Sequence, residues 1–183
     1  RQIAKEGILG VNIMVATRKY EEYVKAAVDA GIDLIISGAG LPMELPKLVG
    51  AAKTKLAPIV SSVKSAQVIM RYWWKKYQRL PDAVVIEGPL AGGHLGFHKG
   101  QLDDIDGLNY DQEVKAIIEQ VNGMAMEHES YIPVIMAGGV YTRTDMEHYL
   151  EMGASGVQMA TRFVTTYECD ADEAYKQSYI DAK

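Results

Sequence analysis

The chain has 183 residues, 48% of them hydrophobic and 23% charged, which is the balance of one globular domain of ordinary size and excludes a disordered polymer. Its formal charge of -5, with basic residues scattered along the chain, gives no electrostatic footprint for a nucleic-acid backbone, and no apolar run approaches the ~18 residues needed to span a bilayer. The one cysteine, Cys169, cannot form an internal disulfide and has no Cys or His at zinc-binding spacing. The sequence therefore predicts a soluble protein of a reducing, cytoplasmic compartment that binds no metal, nucleic acid or membrane.

The first apolar stretch, Gly7 to Val15, is rich in β-branched residues and interrupted only by Asn12, as expected of a strand buried on both faces. Tyr20, Tyr23, Val24, Ala27 and Val28 recur at helical spacing, and Gly31 ends that helix. Ile32 to Ser37 is the next strand, followed by Gly38-Ala39-Gly40 and a short helical segment from Pro42 to about Ala52. Leu56 to Val60 is a strand closing on Ser61-Ser62-Val63-Lys64. From Ser65 to Leu80 the positions Val68, Ile69, Tyr72, Trp73 and Leu80 predict one apolar helix face, with Arg71, Lys75, Lys76 and Arg79 toward solvent.

Ala83 to Ile86 is a short buried strand ending in Glu87 and then Ala91-Gly92-Gly93-His94, a backbone almost without side chains that leads to one imidazole. Such glycines let the main chain approach a flat or anionic ligand, and a histidine beside them can move a proton near neutral pH. Lys99 to Asn109, with Asp103, Asp104 and Asp106, reads as a polar loop that could cover the site; its aspartates lack the spaced ligands and closing glutamate of a calcium loop. A helix follows from Asp111 to about Glu127, then a strand at Pro133 to Met136 ending in Ala137-Gly138-Gly139. Thr142 or Thr144 caps a helix running to Met152, Val157 to Ala160 is a strand, and Asp170 with Glu173 predicts the start of the last helix. His128 and His148 fall on helices between polar residues and are expected to face solvent.

Strand and helix alternate about six times, the pattern of parallel α/β architecture. Each glycine-rich segment lies at the C-terminal end of a predicted strand, where this class of fold builds its sites. No Gly-x-Gly-x-x-Gly follows the first strand, so a (β/α)₈ barrel is favoured over a dinucleotide-binding open sheet, with roughly two of the eight strands missing.

At Glu87-Gly88, Ala91-Gly92-Gly93-His94, Ala137-Gly138-Gly139 and Gln158 to Phe163 the chain resembles the nitronate monooxygenase family, which includes flavin-type enoyl-acyl carrier protein reductases and NADH:quinone reductases. The resemblance implies a single FMN-binding TIM-barrel domain over residues 1–183, supplying strands three to eight, as a fragment of a longer chain. It further implies that Asn12 and Glu87 contact the flavin, that Gly92 and Gly93 let the backbone approach it, and that Gly138, Gly139, Gln158, Met159, Ala160 and Thr161 bind its phosphate. His94 is then the catalytic residue. The activity implied is oxidation of alkyl nitronates by dioxygen; the alternatives are an enoyl or quinone reductase using NAD(P)H, which a glutamate at position 87 favours, and a barrel that binds a phosphorylated small molecule without redox chemistry. Leu90 stands where the family commonly has glutamate, a departure that bears on the substrate. The partner is a small-molecule substrate, and a homodimer is compatible with the resemblance.

Overall fold

The computed structural model describes residues 6–93, 96–105 and 107–182. Six strands form one sheet in the order β1-β2-β3-β4-β5-β6, every neighbouring pair parallel: β1 is Gly10–Met14, β2 Leu34–Gly38, β3 Lys55–Val60, β4 Val84–Glu87, β5 Val134–Ala137 and β6 Gly156–Gln158. The sheet is curled. Sequential parallel order requires a crossover between each pair. The helices that supply or accompany these crossovers are α1 (Tyr20–Asp29), α2 (Leu45–Val49), α3 (Val63–Tyr77), α4 (Lys99–Leu102), α5 (Tyr110–Glu127) and α6 (Arg143–Glu151). After β6 come one helical turn, α7 (Thr161–Val164), and α8 (Glu173–Asp181).

Alternation along each strand divides the apolar residues between two faces. Ile13, Ile35, Leu56, Val60, Val84, Ile86, Val134 and Met136 point to the helix side and join the main core with Val24, Leu45, Ile69, Met70, Trp73, Val114, Ile117 and Val121. The concave side is covered by smaller groups, with Ala57, Val85 and Ala137 buried and Leu34, Ile36, Ile59, Ala83 and Ile135 half-buried around them. Both faces being apolar explains why the strands read as continuous runs in the sequence.

The helix ends follow local chemistry. Ser62 caps α3 by accepting from Ser65 N at 3.2 Å while Ser65 Oγ accepts from Ser62 N at 3.1 Å, a reciprocal pair that satisfies two otherwise orphaned donors. Thr142, and not Thr144, caps α6 in the same way with Asp145. The last helix is capped by Asp172, whose carboxylate accepts from Ala174 N at 2.8 Å, so the expected start at Asp170 is two residues early.

Other boundaries differ as well. The final strand is Gly156–Gln158 and gives way to α7, so the strand expected at Val157 to Ala160 starts one residue earlier and stops two residues sooner. The polar loop after Gly96 contains α4, where Lys99 pairs with Asp103 at 2.8 Å. Tyr23 and Val68, expected on buried faces, are exposed, and Arg79, expected in solvent, is half-buried against Asp82 at 3.3 Å and Thr54 O at 2.9 Å. His128 closes α5 and stacks on Trp74 with 3.9 Å between ring centroids. His148 is exposed and bound to Asp111 at 2.9 Å.

Candidate active site

The loops that follow β2, β3, β4, β5 and β6 all leave the same edge of the parallel sheet. Register puts Glu87 of β4 opposite Ala137 of β5, and Ala137 opposite Gln158 of β6. These residues form one inward-facing row at the strand ends. Asn12 pairs with Ile36, which pairs with Ala57, so it lies on the same face but outside that row, exposed on the edge strand.

Gly138 and Gly139 both have positive φ, 88° and 78°. A Cβ on Gly138 would stand 2.8 Å from Ala91 Cβ, and one on Gly139 would stand 2.8 Å from Leu90 Cβ. Two constraints thus require glycine here, the left-handed backbone and the packing of the loop after β5 against the loop after β4. Gly88 N donates to Ala137 O at 2.9 Å and joins the same two loops. Gly92 and Gly93 differ: a Cβ on either meets nothing within 4 Å among the described residues, although Gly93 also has positive φ, 91°.

The N–H groups of Gly138, Gly139, Ala160 and Thr161 have no acceptor among the described residues. The start of α6 is less open, because Asp145 takes the N–H groups of Thr142 at 2.7 Å and Tyr141 at 3.0 Å; these backbone bonds, Thr142 first, hold its carboxyl below the usual range. An anion there would meet a carboxylate. Since α7 is a single turn, it carries little dipole, and anion binding would rest on the loop N–H groups. Arg162, which sequence reasoning passed over although it lies in the Gln158 to Phe163 run, ties the two loops: its Nη1 donates to Tyr141 O at 3.1 Å and its guanidinium lies 5.2 Å from the Tyr141 ring centre.

On the other side of Glu87 a cavity of roughly 210 Å³ opens among Ala39, Leu41, Ile59, Ser61, Ser65 and Glu87. Glu87 is half-buried, and its carboxyl has no hydrogen-bond partner among the described residues. Burial alone pushes its pKa up, because loss of solvation disfavours the charged form. The Tyr110 hydroxyl, at the start of α5, donates toward Ser61 O at 2.9 Å and Glu87 O at 3.2 Å, spanning the ends of β3 and β4. Burial pushes that phenol up strongly. Phe97 packs edge-on against the Tyr110 ring at 5.3 Å, and Ser61 Oγ reaches Gly96 O at 3.4 Å. No sequence signal marks Tyr110, because its partners lie 49 and 23 residues away. His94 lies outside the described residues, as does Asp106.

Among the described residues no group of three or more His, Cys, Asp or Glu is placed to hold a metal, and no helix is long and apolar enough to cross a membrane.

This arrangement can be set against known proteins. A probable nitronate monooxygenase of Staphylococcus aureus (strain JH9) is 33% identical over 105 residues, 56% of this chain and 26% of its own length. The structure of FabK from Thermotoga maritima superposes with a TM-score of 0.76 at 27% identity, covering 100% of this chain and 50% of that one. A nitroalkane oxidase from Streptomyces ansochromogenes shares the fold, with a TM-score of 0.62 at 21% identity over 92% of this chain and 54% of that one. The chain thus spans about a quarter of that curated relative and about half of those solved chains. The nitronate monooxygenase family model matches residues 1–183, the whole of the sequence, and the chain belongs to that family.

Proposed function

We propose that this chain belongs to an FMN-dependent oxidoreductase that oxidises alkyl nitronates with dioxygen. The observation that carries the reading is the cradle formed by Gly138, Gly139, Ala160 and Thr161. Their N–H groups lack acceptors among the described residues, at the strand edge where Glu87, Ala137 and Gln158 align. A phosphate dianion fits donors of this kind, and the open side of Gly92 and Gly93 fits a planar ring lying against backbone. FMN, when bound, supplies the electron acceptor and the route by which electrons reach dioxygen.

The residues of the chain do the rest. Gly138, Gly139 and the segment Gln158, Met159, Ala160 and Thr161 hold the phosphate. Asn12 and Glu87 face the ring from the concave side. His94 takes the proton of a neutral nitroalkane or hydrogen-bonds the nitronate oxygens. The reading of these strands as six of an eight-stranded barrel is supported by two features: among the described residues β1 and β6 each have one strand neighbour, and the apolar concave face along Leu34, Ile36, Ala57, Val85 and Ile135 lines a space of about 560 Å³ that two further strands would close.

The likeness to FabK, which extends over the whole chain, favours a second reading, reduction of an enoyl thioester by NAD(P)H. Oxygen uptake tests the first. FMN-loaded protein supplied with propyl-2-nitronate should consume dioxygen without NADH, and loss of uptake unless NADH is added would transfer the assignment to the reductase.

A further inference from the structure

The geometry points to the cavity beside β4 as the subsite for the reacting head of the substrate, a small planar group with two acceptor oxygens on a short alkyl stem, with the Glu87 carboxyl donating a hydrogen bond to one oxygen. This rests on the nitronate reading above and deepens it.

The walls at Leu41, Ile59 and Val60 are apolar, and no lysine, arginine or histidine is among the described lining residues. Among the described residues an ionised Glu87 has no counter-ion there, whereas a neutral carboxyl is a donor in search of an acceptor. A second donor is within the same lining. Among the described residues the Ser61 hydroxyl makes only a long contact of 3.4 Å to Gly96 O, while that of Ser65 is committed to Ser62 O at 2.7 Å. Tyr110 fixes the backbone that bears both donors, through Ser61 O and Glu87 O. Two donors on one small cavity match two oxygens on one centre. The volume, roughly 210 Å³, is about seven water volumes at ~30 Å³ each, which limits the stem to a few carbons.

Among the described neighbours Glu87 is the group left to respond to pH, and His94 is separated from it by the H94Q background used below. From α5, the Tyr110 phenol is pushed up by burial and stays neutral, and Glu113 accepts from Val63 N at 2.8 Å. From α3, Lys64 is exposed. Beyond the β2–α2 loop, Glu44 is bound by Lys76, Tyr72 and Tyr77. Burial raises the Glu87 pKa, and a bound anion raises it further. The donor is present at low pH and lost as pH rises.

Isobutyrate, a planar two-oxygen isostere of propyl-2-nitronate, is the probe. Its binding is measured by calorimetry from about pH 6 to about pH 9, with and without FMN, in the parent, E87Q, E87D and each of these in an H94Q background. Affinity in the parent should fall about tenfold per pH unit above the Glu87 pKa. E87Q, a donor at every pH, should bind with no such fall, and E87D should bind more weakly but keep the dependence. Identical pH dependence in the parent and E87Q, or no isobutyrate binding by the parent, overturns the assignment. Protein that fails to take up FMN yet binds isobutyrate in this pattern would sink the flavin reading and leave the subsite standing.

Discussion

Replacing Gly139 by alanine isolates the structural demand at the proposed phosphate loop. Its φ of 78° places an alanine in the left-handed region, at a cost of ~1–2 kcal/mol. The new Cβ would also lie 2.8 Å from Leu90 Cβ and 2.9 Å from Leu90 Cδ1. Leu90 is 62% exposed, so its Cδ1 can swing outward at ~0.5–1.5 kcal/mol for an off-rotamer side chain, while the Cβ contact is relieved by a shift of the loop that carries it. Together these give a destabilisation of about 1.5–3.5 kcal/mol, read as a shift in the urea midpoint at unchanged slope. L90A alone should stay within about 0.5 kcal/mol of the parent. The double variant L90A/G139A should recover only the part due to Leu90 Cδ1, because alanine keeps the Cβ, and should keep the backbone share. Full recovery in the double variant would show that the left-handed backbone carries no cost, and a G139A protein as stable as the parent would refute both parts. For the same reason G139D cannot by itself report on phosphate binding, since it combines charge repulsion with both structural costs.

Three further outcomes follow from other parts of the molecule. Hydrogen bonds from Lys76, then Tyr72 and Tyr77, hold the Glu44 pKa at about 2, below its ordinary 4.5. Because the folded value is the lower one, this stabilisation is full above 4.5 and is lost as pH falls through about 2; E44Q should therefore melt earlier than the parent at neutral pH, and the gap should close across that window. T142A removes the side chain that accepts from Asp145 N at 3.2 Å and should cost ~1 kcal/mol in chemical denaturation. H94A should keep FMN by absorbance while losing ~10²–10⁴-fold in turnover; loss of FMN with unchanged activity per bound flavin would remove the role given to His94.

The architecture was legible because strands buried on both faces form uninterrupted apolar runs, and each of the six expected runs overlaps a strand to within three residues at its ends. Faces were harder to read. Tyr23 and Val68 satisfy helical spacing yet are exposed, since the apolar stripe of each helix is wider than the strip the sheet covers. The last strand reads longer in the sequence than it is because Met159 and Ala160 are apolar, and only pairing with β5 shows that it ends at Gln158. Capping at Asp172 rather than Asp170 was a choice between two equally suitable carboxylates in adjacent turns. At the site, the glycines announced themselves by composition. The clamp of Tyr110 on Ser61 O and Glu87 O, and the contact of Leu90 with the Gly139 loop, join distant segments and leave no local trace. Nor could the sequence show that Asp145 occupies the start of α6 and thereby narrows the anion cradle to the loops.

In the proposed function this family member binds FMN, and a nitronate, not a nicotinamide, reduces it. Anaerobic mixing tests it most directly. FMN-loaded protein mixed with propyl-2-nitronate in the absence of oxygen and NADH should lose its flavin absorbance, and readmitted dioxygen should restore it. Flavin that bleaches with NADH and not with the nitronate, or protein that stays colourless after incubation with FMN, would contradict the account.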